Sequence, residues 1–231
     1  MSRYGCVLAL DSAMNGCGAA VLSGGRTVSR MMSMERGQAE QIIPMVEACM
    51  AAHGVSYAAL EAVAVTVGPG AFTGLRIGLS SAKSFGLSLD IPVYGITTLQ
   101  ALALAHMRRV ASPCTVLVES KRTDFYVQGF DGTAHALYDP QALSAENVQR
   151  LLPAGGVLIG DAVPRFLTLS DGGVDGAVIQ AGYDMPDVAV MVEHLAEPDS
   201  RALYFSTDLA PVYLRPPDVS VSQRVQRVLG G

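Results

Sequence analysis

The chain has 231 residues, of which 50% are hydrophobic and 16% are charged, and its formal net charge at pH 7 is −5. This composition predicts a globular fold and excludes an intrinsically disordered chain, which would bury too little apolar surface. The acidic balance argues against a general nucleic-acid-binding protein, because such a protein normally carries a basic face.

The cysteines and the hydropathy pattern together predict a reduced protein in the cytoplasm. The four cysteines, Cys6, Cys17, Cys49 and Cys114, are scattered and form no Cys-x-x-Cys pair. This spacing favours buried thiols over a disulfide framework or a zinc site. The apolar run at the N-terminus is broken by Asp11, so it lacks the layout of a signal peptide. No apolar run reaches the length of about 18 residues that a membrane span requires.

The first third of the chain predicts three strands followed by a helix. Apolar runs separated by Asn15-Gly16 and Gly24-Gly25 predict strands at residues 4–10, 17–22 and 27–34. Gln38–His53 predicts an amphipathic helix, since its apolar residues recur on one side. Pro44 lies inside this helix and removes one backbone hydrogen bond, so we expect a kink or an early first turn there.

A glycine-rich stretch, Val67–Gly78, follows a predicted strand at residues 62–67. Gly68-Pro69-Gly70 ends the strand, and Thr73 is predicted to cap a helix that continues to Leu89. The stretch matches neither the P-loop nor the dinucleotide fingerprint, because no Gly-Lys-Ser/Thr follows and the glycine spacing differs. Taken as a generic loop, it is therefore weak evidence for a nucleotide site.

A stripe of small residues runs along this second helix, with Gly74, Gly78, Ala82 and Gly86 recurring every four positions on one face. Each interior glycine costs about 1 kcal/mol of helix propensity relative to alanine. Close approach of another backbone would offset that cost. The pattern leaves two alternatives equally open, which are packing on the protein's own core and packing on a partner helix.

The rest of the chain predicts an α/β protein without a clear internal sequence repeat. Further strands are predicted at residues 92–95, 115–119, 125–130, 134–138 and 155–160, and further helices at residues 99–110, 144–152 and 187–196. Loops are predicted at residues 171–173 and 198–200. The expected division is an N-terminal lobe at 1–103 and a smaller C-terminal lobe at 104–231, with a mobile tail after Arg215.

The sequence offers no catalytic constellation and no metal site. The four histidines are far apart and form no His-x-x-x-His or His-Glu-x-x-His pair. No Gly-x-Ser-x-Gly elbow is present either. Two acidic turns, Asp11-Ser12 and Gly160-Asp161, each follow a predicted strand. The pattern alone favours a purely turn-stabilising role for each.

Several segments, taken in order, resemble the bacterial TsaB (YeaZ) family, and the resemblance is dense over residues 5–105. The hallmark segment is Gly68–Gly78, and the other matching segments are Leu8–Ala13, Ile43–Val46, Pro92–Leu99 and Pro211–Arg215. The resemblance implies an actin-like ATPase (ASKHA, ribonuclease H-like) fold with two lobes, each with a mixed sheet and packed helices. It also implies a non-catalytic subunit in the modification of tRNA at adenosine 37 to threonylcarbamoyladenosine.

The resemblance further implies the partners and the contact surface. The catalytic threonylcarbamoyltransferase subunit (TsaD), the ATPase (TsaE) and a second copy of the chain are the expected partners, with tRNA bound only within the complex. The first two helices would form the contact, through Ile42, Met45, Val46, Cys49, Gly74, Arg76, Gly78, Ala82 and Phe85. A bulky residue at Gly78 is then expected to abolish partner binding while leaving the fold largely intact.

The remaining expectations concern cofactors and an alternative function. No cofactor or metal is expected, apart from weak ATP or ADP binding in the complex, for which the residues are Asp11, Ser12, Gly160 and Asp161. The alternative is an enzyme of the same superfamily, either an ATP-dependent phosphotransferase or a metallopeptidase-like protein. The phosphotransferase needs a complete phosphate-binding set and the peptidase needs a metal site, and the sequence supplies neither.

Overall fold

The computed structural model describes residues 3–170, 174 and 176–214. The predicted loop at 171–173 and the predicted mobile tail after Arg215 lie outside these residues. The strands of the described part are β1 Cys6–Asp11, β2 Gly16–Ser23, β3 Arg26–Ser33, β4 Ala62–Thr66, β5 Val93–Ile96, β6 Cys114–Glu119, β7 Phe125–Phe130, β8 Gln141–Leu143, β9 Val157–Ile159 and β10 Val178–Ile179. The α-helices are α1 Gln38–His53, α2 Phe72–Leu89, α3 Thr98–Arg109, α4 Ala145–Leu151, α5 Val163–Leu169, α6 Val188–Ala196 and α7 Pro198–Tyr204.

The strands form two five-stranded mixed sheets with the same order. The first sheet runs β3-β2-β1-β4-β5, with β1, β2 and β3 antiparallel and β1, β4 and β5 parallel. The second runs β8-β7-β6-β9-β10, again with an antiparallel meander followed by two parallel strands. The sequence shows no repeat that corresponds to this repeated strand order. The two sheets and their helices confirm the predicted α/β class with two mixed sheets and packed helices.

The first sheet is buried on both faces, which explains why β1 reads as a continuous apolar run. Leu8 and Leu10 point toward α1 and α2, whereas Val7 and Ala9 point toward α3 and α6. The cluster that contains Val7 and Ala9 continues into the second sheet through Phe130 and its neighbours. The two sheets therefore share one hydrophobic core built around α3 and α6.

The last described segment returns to the first sheet. Helix α6 packs against β1 and β2. Ser206 then forms an antiparallel bridge with Gly95, and the Val212 amide donates to the Val67 carbonyl at 2.7 Å. The predicted division at residue 103 stays a prediction, and these contacts qualify it, because α6, Ser206 and Val212 contact the N-terminal lobe.

Several predicted elements are corrected by the structure. The N-cap of α2 is Ala71, not Thr73, and no side chain caps this helix. The strand predicted at 134–138 reduces to one bridge between Phe130 and Ala136, since Ala134 has a positive φ of 62°. The loop predicted at 198–200 is the start of α7, whose first residue is Pro198. Proline at a first helical position is a helix-start signal, and the sequence reading missed it.

Other expectations are confirmed or extended. Helix α1 has the predicted bounds, but Pro44 lies inside the helix that begins at Gln38, so the alternative that placed Pro44 in the first turn is wrong. All four cysteines are free and buried. Among the described residues, no helix combines the length and the apolar character that crossing a bilayer would require.

Candidate functional site

The glycine-rich stretch encloses the turn that joins β1 to β2. The Ala71 amide donates to the Ala13 carbonyl at 2.7 Å, which holds the start of α2 against this turn. A Cβ atom built on Gly70 or on Gly74 would lie closer than 3.0 Å to the carbonyl oxygens of Ala13 and Ser12, respectively. Glycine is therefore required at both positions by close backbone approach.

The small-residue stripe of α2 faces the protein's own core. A Cβ on Gly78 would lie 2.8 Å from the Ser12 Oγ, and a Cβ on Gly86 would collide with the Val93 side chain. Ala82 is fully buried. The assignment of Gly74, Gly78 and Ala82 to a partner contact is therefore corrected. The expectation that a bulky residue at Gly78 would leave the fold intact is corrected for the same reason.

The residues of α1 that were predicted to bind a partner also face the protein's own core. Their side chains are buried in the cluster that α1 forms with β1 and β2: Ile42, Met45, Val46 and Cys49. The helical periodicity identified the apolar face correctly, but that face packs on the sheet. A partner cannot reach most of these side chains in the folded chain, but Ile42 lies at the rim of one surface groove and Met45 lines another.

An exposed groove lies between the other faces of the two helices, and we call it the α1–α2 groove. Its volume is about 490 Å³. Its lining residues are Ala39, Ile42, Ile43, Phe72, Thr73, Arg76, Ile77, Ser80 and Ser81. Ile43 and Phe72 are large apolar side chains that remain 38% and 48% exposed. This groove is an accessible surface that both of the helices predicted to bind a partner line.

An aromatic and cationic stack forms one end of the α1–α2 groove. The Arg76 guanidinium lies 3.8 Å from the centre of the Phe72 ring. The Tyr213 ring lies on Phe72 with 5.6 Å between the ring centres. This contact gives Arg76 a partner near a helix N-terminus, where the dipole disfavours a cation. Of the predicted partner-binding residues, Arg76 is exposed in the groove, and Phe85 is half-buried and stacks on Tyr57.

The groove contains two residue types that are enriched in protein-binding surfaces. These are the exposed aromatic ring of Phe72 and the Arg76 guanidinium on it. Sequence reasoning missed Ile43, Phe72 and Ile77. The available signal was that Ile43 and Phe72 are large apolar residues outside the buried stripe of their own helices.

The Asp11 carboxyl, at the end of β1, is fully buried. Its Oδ1 accepts from the Thr66 hydroxyl at 2.6 Å and from the Ala13 amide at 3.2 Å. Its Oδ2 has no hydrogen-bond partner among the described residues. Burial raises the pKa of Asp11 from its ordinary 3.8 to about 6, and the hydrogen bonds from Thr66 and Ala13 oppose this rise.

The residues predicted for nucleotide lie in different sheets. Ser12 is buried beside Asp11, and its hydroxyl donates to the Gly74 carbonyl at 2.8 Å. This pair therefore offers no free side-chain donor to a phosphate. Gly160 and Asp161 follow β9 in the second sheet, where Asp161 accepts from the Glu119 amide at 3.0 Å. Burial raises the pKa of Asp161 to about 6.

A second cavity adjoins the α1–α2 groove at the start of α2, with a volume of about 520 Å³. Met14 and Asn15 reach it from the first sheet, and Lys121 reaches it from the second. Arg36 also lines this cavity, together with Glu35 and Glu40, so two cations and two carboxylates line it. None of the four residues predicted for nucleotide lines it. Within the described part of the chain, no three His, Cys, Asp or Glu side chains form a group able to hold a metal ion.

Replacing Asp11 with asparagine is expected to change stability in a pH-dependent way. Because the folded-state pKa is raised, the stabilising contribution of protonated Asp11 is complete below pH 3.8 and is lost as pH rises to about 6. The asparagine side chain stays neutral, so the variant should gain roughly 2–3 kcal/mol relative to the wild type between pH 4 and pH 7.5. Urea unfolding at both pH values measures this gain. An equal difference at the two pH values would show that burial does not penalise the Asp11 charge.

Comparison with known proteins finds a matching family model and related sequences. The sequence model of the tRNA N6-adenosine threonylcarbamoyltransferase (TsaD) family matches residues 33–201, which is more than half of the chain. The tRNA threonylcarbamoyladenosine biosynthesis protein TsaB of Escherichia coli is 32% identical over 103 residues, 45% of this chain and 45% of that protein. The chain thus spans about half the length of the curated relatives it matches.

A solved structure extends the comparison to the fold. YeaZ from Pseudomonas aeruginosa superposes with a TM-score of 0.77 at 23% identity, covering 93% of this chain and 100% of that one. A tRNA N6-adenosine threonylcarbamoyltransferase from Erythrobacter litoralis is 43% identical over 70 residues, 30% of this chain and 20% of that protein. The two-lobed α/β fold is therefore shared with a YeaZ protein, and the chain shares sequence with both groups.

Proposed function

Because the chain belongs to the TsaB (YeaZ) family, we propose that it is a non-catalytic scaffold subunit for threonylcarbamoyladenosine modification of tRNA at adenosine 37. In this role it binds and activates the catalytic tRNA N6-adenosine threonylcarbamoyltransferase (TsaD). The chain is inactive alone, and it acts in the cytoplasm.

The observation that carries this proposal is the α1–α2 groove. Its exposed Phe72 and Ile43 are apolar, and Arg76 is held over the Phe72 ring. Burying these side chains against a partner helix would remove apolar area from water at about 25 cal/mol per Å². The groove lies between two helices that pack on each other, and a helix pair on a partner could extend this arrangement into a bundle.

The further partners in the proposal follow the family resemblance. The ATPase TsaE joins the assembled pair, and the isolated chain self-associates through the same groove. Transfer RNA binds only within the complex, consistent with the net charge of −5. ATP or ADP binds weakly and only in the complex.

The alternative function, a phosphotransferase or metallopeptidase-like enzyme, is not favoured. Asp11 and Ser12 engage Thr66 and Gly74 within the chain, and so they are not arranged to hold a phosphate. The measurement that separates the two functions is ATP turnover by the isolated chain. Turnover above the level of an Asp11→Asn control would favour the enzyme.

Size-exclusion chromatography with light scattering tests the scaffold proposal. The chain is run alone and then mixed with the transferase of the same organism. We expect a one-to-one complex that replaces any homodimer. If the two proteins elute separately at every nucleotide condition and at concentrations up to about 100 µM, a range that covers affinities typical of specific complexes, the scaffold proposal is wrong.

A further inference from the structure

The described chain ends at the edge of the α1–α2 groove. The Val212 amide donates to the Val67 carbonyl at 2.7 Å, which fixes the backbone beside the start of α2. The Tyr213 ring then packs on Phe72, a lining residue of the groove. The last described residues therefore lie beside an exposed apolar surface, and residues 215–231 follow them in the sequence.

The sequence of that segment is apolar and basic. Val221, Val225 and Val228 are spaced four and three positions apart, which is the spacing of one helix face. The segment contains three arginines and one aspartate, so its side chains carry a net charge of +2. Arg224 and Arg227 lie between the valines in the sequence.

The α1 wall of the groove carries the opposite charge. Glu40 and Glu47 are exposed and flank Ile43 on the same helix face, three and four positions away. Helix α1 contains no lysine or arginine. No ion pair of Glu40 or Glu47 is found among the described residues. The wall is therefore acidic beside its exposed apolar residue.

We propose that residues 219–229 of the same chain dock in the α1–α2 groove and compete with the partner for it. Val221, Val225 and Val228 cover Ile43, Phe72 and Ile77, while Arg224 and Arg227 lie near Glu40 and Glu47. The docking itself is independent of the proposed function. Its regulatory consequence, occlusion of the partner's surface, rests on that function.

The dimensions are compatible with docking in cis. The groove follows α2 from Phe72 to Ser81, about 14 Å at 1.5 Å per residue, and residues 219–229 would span about 16 Å as a helix. The linker, Arg215–Asp218, reaches up to about 13 Å when extended. A short linker gives an effective concentration in the millimolar range. An intrinsic dissociation constant of about 0.1 mM would then weaken partner binding about tenfold.

Disulfide trapping in the full-length chain tests the docking without any partner. A Val225→Cys variant is combined with Ile43→Cys in the groove or, as the control, with Leu137→Cys, whose native side chain is 63% exposed on the other lobe. Under mild oxidation at low micromolar concentration, we expect an intramolecular disulfide for the groove pair at least about tenfold faster than for the control, because docking raises the local thiol concentration. Equal rates, or disulfides between chains only, would overturn the docking.

Partner affinity tests the regulatory consequence. The full-length Val225→Asp/Val228→Asp variant should bind the transferase about tenfold more tightly than the wild type, since the competing segment is released. A Ser220→Asp/Ser222→Asp variant adds the same charge away from the valine face and should leave the affinity within about twofold of wild type. Trapping without tighter binding would overturn the competition alone. If neither the wild type nor the Val225→Asp/Val228→Asp variant binds the transferase, the proposed function is wrong. The disulfide-trapping experiment would still show whether the segment docks in the groove.

Discussion

Replacing Gly74 with leucine is expected to lower the free energy of unfolding by at least about 3 kcal/mol, enough to unfold a marginally stable chain. A Cβ at this position would lie closer than 3.0 Å to the Ser12 carbonyl oxygen. The obstacle is backbone that is fixed between β1 and β2, so it cannot move aside as a flexible side chain could. Relief would require α2 to move away from the first sheet.

Urea unfolding followed by circular dichroism measures this effect. The matched control is Ser84→Leu, which places the same side chain on an exposed position of the same helix. We expect the control to stay within about 0.5 kcal/mol of the wild type. A Gly74→Leu variant as stable as the control, but unable to bind the transferase, would restore the stripe as a partner surface.

Replacing Phe72 with aspartate is expected to weaken binding to the transferase by at least about 30-fold, because central aromatic residues contribute about 2 kcal/mol or more to protein interfaces. Phe72 is the exposed aromatic residue that lines the groove. The aspartate also introduces a charge that binding would desolvate. Because Phe72 is 48% exposed, the variant should keep most of the stability of the wild type.

Isothermal titration with the transferase measures this loss. Leu137→Asp is the control, since it makes a similar apolar-to-acidic change at a more exposed residue of the other lobe. The control should bind with wild-type affinity. Equal weakening by both variants would indicate a charge effect on the whole chain, and no weakening by either would place the interface elsewhere.

Local sequence patterns predicted the elements of the first sheet well. The bounds of α1 were predicted correctly, and the glycine-rich stretch does connect β4 to α2. Periodicity alone could not say what the apolar face of α1 covers. A stripe such as Ile42 and Val46 looks the same whether it packs on a sheet or on a partner, and here it packs on the sheet.

The sequence likewise could not show what the small-residue stripe of α2 packs against. Its glycines did indicate close approach of another backbone, and the structure identifies that backbone as the Ser12–Ala13 turn of the same chain. The Ser12 side chain bonds the Gly74 carbonyl across a separation of 62 positions in the sequence, and no local signal joins the two residues. The repeated sheet order was also hidden, because it is a property of hydrogen-bonded strand pairing and not of residue identity.

The proposed binding of the transferase to the α1–α2 groove can be tested by photo-crosslinking. A photo-crosslinking phenylalanine analogue is placed at position 72 and, in a second variant, at position 137. Each is irradiated with the transferase, and the products are analysed by mass spectrometry. We expect a cross-link to the transferase from position 72 and none from position 137. A cross-link from position 137 alone would show that the partner binds the other lobe.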